Sequence, residues 1–238
     1  MNSEFKDYLN EQLQKNGLYI DDHQLNKIIK YRELILSWNK KMNLTRITEE
    51  KDFIEKHVID SLMIIKHINI MNESKIVDIG TGAGIPGIII KIARPDVKMI
   101  LLEAIRKKAN FLYEAVSRLE LKSVEIVNER AETAAKNLKY RQTQDVAIAR
   151  AVSSLRVLAE ICLPFVKKGG MFIAMKGEKT ETEIEEAQNS IKTMGGKISE
   201  VIEYAAGDAK HKLVIIGKID NTPEKYPRRP GIPEKNPL

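Results

Sequence analysis

A chain of 238 residues with one cysteine is long enough to bury a core of its own, and suits one large α/β domain or one domain with an appendage. Apolar residues at 43% and charged residues at 30% are the proportions of a globular protein, and the longest apolar runs fall far short of a bilayer span, which excludes a transmembrane segment. The net charge of +6 favours an anionic partner, nucleic acid first, whereas aromatics at 5% are too few for a protein that grips single strands mainly by stacking.

Residues 2–70 carry helical spacing throughout. Phe5, Tyr8, Leu9 and Leu13 recur on one face, and Gly17 breaks the pattern. Asp21 and Asp22 are placed to cap a second helix with Leu25, Ile28, Ile29, Leu34, Ile35 and Trp38 on its apolar positions. Residues 38–47 are basic and poorly periodic, which reads as a connection. Thr48, Glu49 and Glu50 open another helix that runs through Phe53 and His57 into an apolar stretch. No strand pattern precedes Lys75, so residues 1–70 are expected to form an N-terminal helical cap.

From Lys75 the rhythm becomes strand and helix in alternation. Strands are expected at 75–79, 97–103, 124–127, 145–149, 170–175, 197–205 and 212–219. Helices are expected over 88–93, 105–119, 153–165 and 178–194. Only a short turn at Gly207 and Asp208 separates the last two strands, which argues for an antiparallel hairpin closing the sheet. Residues 71–220 therefore read as one core. Residues 221–238 hold five of the eight prolines and are expected to be neither helix nor central strand. That basic tail reads either as disordered or as an arm for phosphates through Lys225, Arg228, Arg229 and Lys235.

Cys162 lies in an apolar helical stretch and reads as a small buried hydrophobe rather than a nucleophile. It has no partner for an internal disulfide, and the polar start of the chain carries no signal peptide. A reducing, cytoplasmic setting is expected. The four histidines show no ligand spacing, so no metal site is expected.

The rest of the chain is organised around residues 75–87, Lys-Ile-Val-Asp-Ile-Gly-Thr-Gly-Ala-Gly-Ile-Pro-Gly. A short apolar strand, a glycine turn and a helix make a nucleotide-handling βα unit. Gly82, Gly84 and Gly87 satisfy the dinucleotide fingerprint, and Glu103 falls where that fingerprint places an acid on a ribose, so NAD stands as one reading. Asp78 before the first glycine gives D-x-G-x-G-x-G, which looks like motif I of methyltransferases that use S-adenosyl-L-methionine (AdoMet). A carboxylate beside the loop suits the cationic sulfonium of AdoMet better than a pyrophosphate. The closing hairpin, where an NAD-binding sheet would carry another helix, favours AdoMet further.

Several stretches together resemble the RsmG (GidB) family of bacterial ribosomal RNA methyltransferases. They are Trp38-Asn-Lys-Lys-Met-Asn-Leu-Thr, His57-Val-Ile-Asp-Ser-Leu, the glycine motif from Asp78 with its Ile-Pro-Gly ending, Arg130-Ala-Glu, Arg150-Ala-Val, Met175-Lys-Gly and Tyr226-Pro-Arg-Arg-Pro-Gly. The resemblance covers nearly the whole chain and keeps the family's order. Two departures are Ile85, where family members often have Phe, and Asn128-Glu129 before Arg130, where a glycine is more usual.

The resemblance implies a class I AdoMet-dependent methyltransferase (Rossmann-like) sheet, mostly parallel with a C-terminal antiparallel β-hairpin, plus the helical cap. It implies methylation of N7 of a guanine in the 530 loop of 16S ribosomal RNA, on the small ribosomal subunit or its assembly intermediate, by a monomer. Guanine N7 has a free lone pair and no proton to lose, which accounts for the lack of a triad or an acid/base pair. The cofactor set implied is Asp78, Gly80, Gly82, Gly84, Ile85, Glu103, Ala131, Glu132 and Arg150. Arg150, Lys176 and Asn43 are candidates for the reacting centre, with Thr45 beside Asn43. His57 reads first as a hydrogen-bonded histidine between cap and core. Two other classes remain open, a methyltransferase of a small molecule or protein and an NAD-binding oxidoreductase. The basic balance opposes the first and the closing hairpin the second.

Overall fold

The computed structural model describes residues 3–238. The cap begins with α1 (Ser3–Lys15) and α2 (Asp22–Asn39). Asp21 caps α2 reciprocally: its carboxylate accepts from the Gln24 amide, and the Gln24 side chain accepts from the Asp21 amide. After the basic connection the chain enters α3 (Glu50–Phe53), a π-helical turn (Ile54–Ile59) and α4 (Asp60–His67) as one continuous rod. The π turn widens the helix where Glu55, His57 and Asp60 are buried, and such turns gather at functional sites.

The core follows as β1 (Lys75–Ile79), α5 (Gly87–Ala93), β2 (Lys98–Leu102), α6 (Arg106–Arg118), β3 (Val124–Val127), α7 (Ala131–Ala134), β4 (Gln144–Arg150), α8 (Leu155–Cys162), β5 (Val166–Lys176), α9 (Thr180–Thr193), β6 (Gly196–Ala206) and β7 (Ala209–Lys218). The sheet runs β3-β2-β1-β4-β5-β7-β6. β1 to β5 are parallel, and β7 enters antiparallel between β5 and β6, so the expected closing hairpin is present. Strand order reverses between β1 and β4, and the crevice outside their carboxyl ends is where such sheets bind ligands. Several boundaries differ from the periodicity, with β5 starting at Val166 rather than 170 and β7 at Ala209 rather than 212. The helix expected over 153–165 ends at Cys162 and continues as a 3-10 turn through Pro164, which cannot donate an i→i−4 bond. The short α7 has too few residues to show a period.

Period-two alternation sorts the strands onto two faces. Ile76, Val146, Ile148, Ile173, Leu213 and Ile215 join the cluster that holds the cap, α5 and α6. Val77, Ile79, Ala147, Ala149, Phe172 and Val214 join the cluster under α7, α8 and α9. Cys162 lies fully buried in the second cluster, where burial pushes its thiol up. No helix of the described residues is long and apolar enough to cross a membrane.

The proline-rich tail packs on the core and ends in α10 (Ile232–Lys235), a single turn. This corrects the expectation that residues 221–238 hold no helix. Pro233 falls in the first turn, where a missing N–H costs nothing.

Candidate active site

The glycine turn is braced from beneath. Asp78 shares the cap-facing side of β1 with Ile76, fully buried. Its Oδ2 accepts the Gly87 amide at 2.9 Å and the Thr81 hydroxyl. Burial raises its pKa to about 6 against those hydrogen bonds and the nearby Arg150 charge. Tyr31 of the cap donates its hydroxyl to the Ala83 carbonyl. Gly80 takes φ +67°, and a Cβ there would stand 2.8 Å from Val152 Cγ2. Glu103, just past β2, bridges the other side: Oε2 accepts the Gly82 amide at 3.0 Å and Oε1 the Ile105 amide at 2.7 Å.

Above this turn lies a cleft of about 320 Å³ at the carboxyl ends of β1, β2, β3 and β4. Gly80, Glu103, Ala131 and Glu132 line it, with Ile79, Leu102, Val157 and Ile161 as apolar walls. Four glutamates in all line it, Glu103, Glu129, Glu132 and Glu234, with Lys108 and Arg130, and these polar groups, the main chain at the turn and the apolar sides fit a nucleoside with a polar tail. Asp78, Gly82, Gly84, Ile85 and Arg150 are not on its wall. Asp78 and Gly82 act through the hydrogen bonds just given. Gly84, φ +88°, leaves room for Ile88 and for the Tyr31 hydroxyl, and Ile85 packs against the cap-side cluster.

Arg150 ends β4 on the cap face, in register with Val146 and Ile148. Its guanidinium donates to the Lys56 carbonyl at 2.7 Å and pairs with Asp60 Oδ2 at 3.1 Å, while Asp60 Oδ1 accepts the Tyr204 hydroxyl. His57 sits 3.4 Å from Arg150, with Nδ1 facing the Lys56 carbonyl at 3.1 Å and Nε2 facing Thr45 Oγ1 at 3.1 Å. Burial first, then the Arg150 charge, lowers its pKa to about 3, so the ring is neutral. Arg150, Lys176, Asp60, Met175 and His211 line a second cavity of about 300 Å³, and Ala151 borders both cavities. The Lys176 ammonium is held by Glu183 at 2.7 Å and the Ser153 carbonyl at 2.7 Å. Asn43 is exposed on the cap's connection.

In the tail, Lys225, Arg229 and Lys235 are exposed, but Arg228 turns inward onto Glu160. Sequence reasoning missed Asp60 and Tyr204, and it missed Pro233 and Glu234, which line the first cleft. The one available signal was Asp60 itself, an acid inside an apolar helical run. Among the described residues no three His, Cys, Asp or Glu side chains gather as a metal-ligand set.

A seven-stranded sheet of this order, with a glycine turn, an acid just past β2 and an open carboxyl edge, is the frame of an AdoMet-dependent methyltransferase. Solved structures share the fold: a SAM-dependent methyltransferase from Aquifex aeolicus superposes with a TM-score of 0.52 at 19% identity, over 69% of this chain and 92% of that one. The family model described as rRNA small subunit methyltransferase G matches residues 24–213. Proteins named Ribosomal RNA small subunit methyltransferase G are similar over almost the full length. That of Clostridium kluyveri is 46% identical over 93% of this chain and 94% of its own. That of Clostridium botulinum (strain Loch Maree / Type A3) is 47% identical over 99% of each. The chain belongs to the rRNA small subunit methyltransferase G family.

Proposed function

We propose that the chain methylates N7 of a guanine in the 530 loop of 16S ribosomal RNA, as a cytoplasmic monomer, by direct in-line transfer without a general base. The names of its relatives support the substrate class. The observation that carries the reading is the meeting of two cavities at Ala151, one suited to a nucleoside cofactor and the other walled by Arg150 and Lys176.

AdoMet, when bound, supplies a methyl group on a positively charged sulfur. Gly80, Glu103, Ala131 and Glu132 would hold it, and Val157 and Ile161 give it apolar cover. The second cavity would take the extruded base, with the Arg150 guanidinium and the Lys176 ammonium, each already paired with a carboxylate, as donors beside an acceptor-rich guanine edge. N7 carries no proton, so positioning and electrostatics suffice. His57 is neutral and occupied at both ring nitrogens, which suits it to fixing the cap against Arg150. Exposed Lys225, Arg229 and Lys235 supply phosphate contacts away from the reacting centre.

The test is methyl transfer to naked 16S RNA, assembled small subunits and small amines, with the modified nucleotide mapped on the RNA. N7-methylguanine within the 530 loop is expected. Labelling of another position, or of the amines alone, overturns the reading.

A further inference from the structure

The tail departs from a basic arm in one respect: it is anchored along its length, and its last two anchors, at Glu160 and Glu132, lie at the cofactor cleft. Lys218 ends β7 with its ammonium on the Leu163 and Met194 carbonyls and on Thr222 Oγ1. The Arg141 guanidinium then donates to three carbonyls in succession, Thr222 at 2.9 Å, Pro223 at 3.2 Å and Tyr226 at 2.9 Å. Arg228 gives its backbone amide and Nε to Glu160 Oε1, each at 2.9 Å, and Nη2 to Oε2 at 2.6 Å. The Glu160 side chain is 1% exposed and sits on α8 between Val157 and Ile161, both walls of the cleft. Gly231, at φ +81°, donates its amide to Glu132 Oε1 at 2.9 Å, and Glu132 itself lines the cleft. The chain then turns through α10 and sets Pro233 and Glu234 on the cleft's outer side.

We propose that residues 222–238 form a strap that completes the AdoMet site, with Pro233 and Glu234 as its outer wall and Arg228 and Glu160 as positioning residues. The proposal rests on reading this cleft as the cofactor site. Neighbouring arginines thus divide their work: Arg228 faces in and locks the strap, whereas Arg229 faces out and is free for phosphate. A buried carboxylate has no favourable state without its cation, so Glu160 fixes the strap's register firmly. Cofactor and strap then stabilise one another, because any ligand that touches the seated strap raises the free energy of unseating it.

The test uses the full chain and a truncation ending at Pro230. The truncation keeps the Arg141 and Arg228 anchors, and it removes Glu234 and Lys235 together, so net charge is unchanged. Titration calorimetry with AdoMet and with its demethylated product should show affinity weaker by about tenfold or more in the truncation. The truncation also loses the Lys235 phosphate contact, so its RNA affinity and salt dependence should fall by about one contact, whereas Pro233→Ser, which keeps Lys235, should weaken AdoMet binding and leave RNA binding unmoved. Arg229→Gln should do the reverse, flattening the salt dependence of RNA binding with cofactor affinity intact. Should the truncation unfold, Pro233→Ser in the full chain carries the test alone. AdoMet bound equally well by the full chain and by the truncation or Pro233→Ser overturns the strap. Failure of the full chain itself to bind AdoMet overturns the cofactor reading beneath it.

Discussion

The Gly87 amide donates to Asp78 Oδ2 at 2.9 Å, and a Cβ on Gly87 would stand 2.7 Å from that same oxygen and 2.5 Å from Leu101 Cδ2. The last glycine of the motif is therefore held by space, not by backbone conformation. Gly87→Ala should push Asp78 off the turn and cost about 1–3 kcal/mol of stability, as overpacking of a filled core does. Urea unfolding measures that loss, and calorimetry should show weaker AdoMet binding alongside it. Wild-type behaviour on both counts would mean that Asp78 does not brace the turn.

His57 makes the stability pH-dependent. Its native pKa is about 3, against an unfolded value near 6.5, so between those values the unfolded chain binds more protons than the native one. Stability contributed by the neutral ring is present above pH 6.5 and is lost as pH falls through the window. Between pH 7 and pH 5 the wild type should lose about 2 kcal/mol more than His57→Gln. Parallel stability curves for the two proteins at these pH values would contradict the buried neutral ring.

Arg150, half-buried, pairs with buried Asp60, their side chains 19% and 4% exposed. Arg150→Ala leaves Asp60 with only the Tyr204 hydroxyl, and should cost about 3 kcal/mol. Arg150→Lys keeps the charge but cannot reach both the Lys56 carbonyl and Asp60 from one planar group. The lysine variant should fold, bind AdoMet within about threefold of wild type, and lose turnover by about a hundredfold. A large loss of AdoMet affinity would return Arg150 to the cofactor wall.

Local pattern made the scaffold legible. The apolar runs of β1 to β5, the turn at Gly207 and the Asp21 cap are each decided by residues close in sequence. The alternation that places Ile76 and Ile148 on the cap face also places Asp78 and Arg150 there, which removes both from the far-side cleft. Tertiary partners were not legible. Tyr204 reaches Asp60 across 144 positions and Arg228 reaches Glu160 across 68, and no periodicity encodes such a pairing. The tail's prolines describe its backbone freedom but not its anchors, so composition alone leaves it loose.

Glu103 carries the sharpest remaining test of the cleft. Both of its oxygens accept main-chain amides, from Gly82 at 3.0 Å and Ile105 at 2.7 Å, and the side chain lines the cavity. A glutamine in its place must turn its NH₂ onto one of those amides, donor against donor. Glu103→Gln should therefore loosen the glycine turn as well as remove an acceptor for ribose hydroxyls. AdoMet affinity should fall by about tenfold or more, and Glu103→Ala should fall at least as far, since it removes both acceptors. Calorimetry with AdoMet is the measurement, with circular dichroism as the check on folding. A folded glutamine variant that binds AdoMet like the wild type would take Glu103 out of the cofactor site.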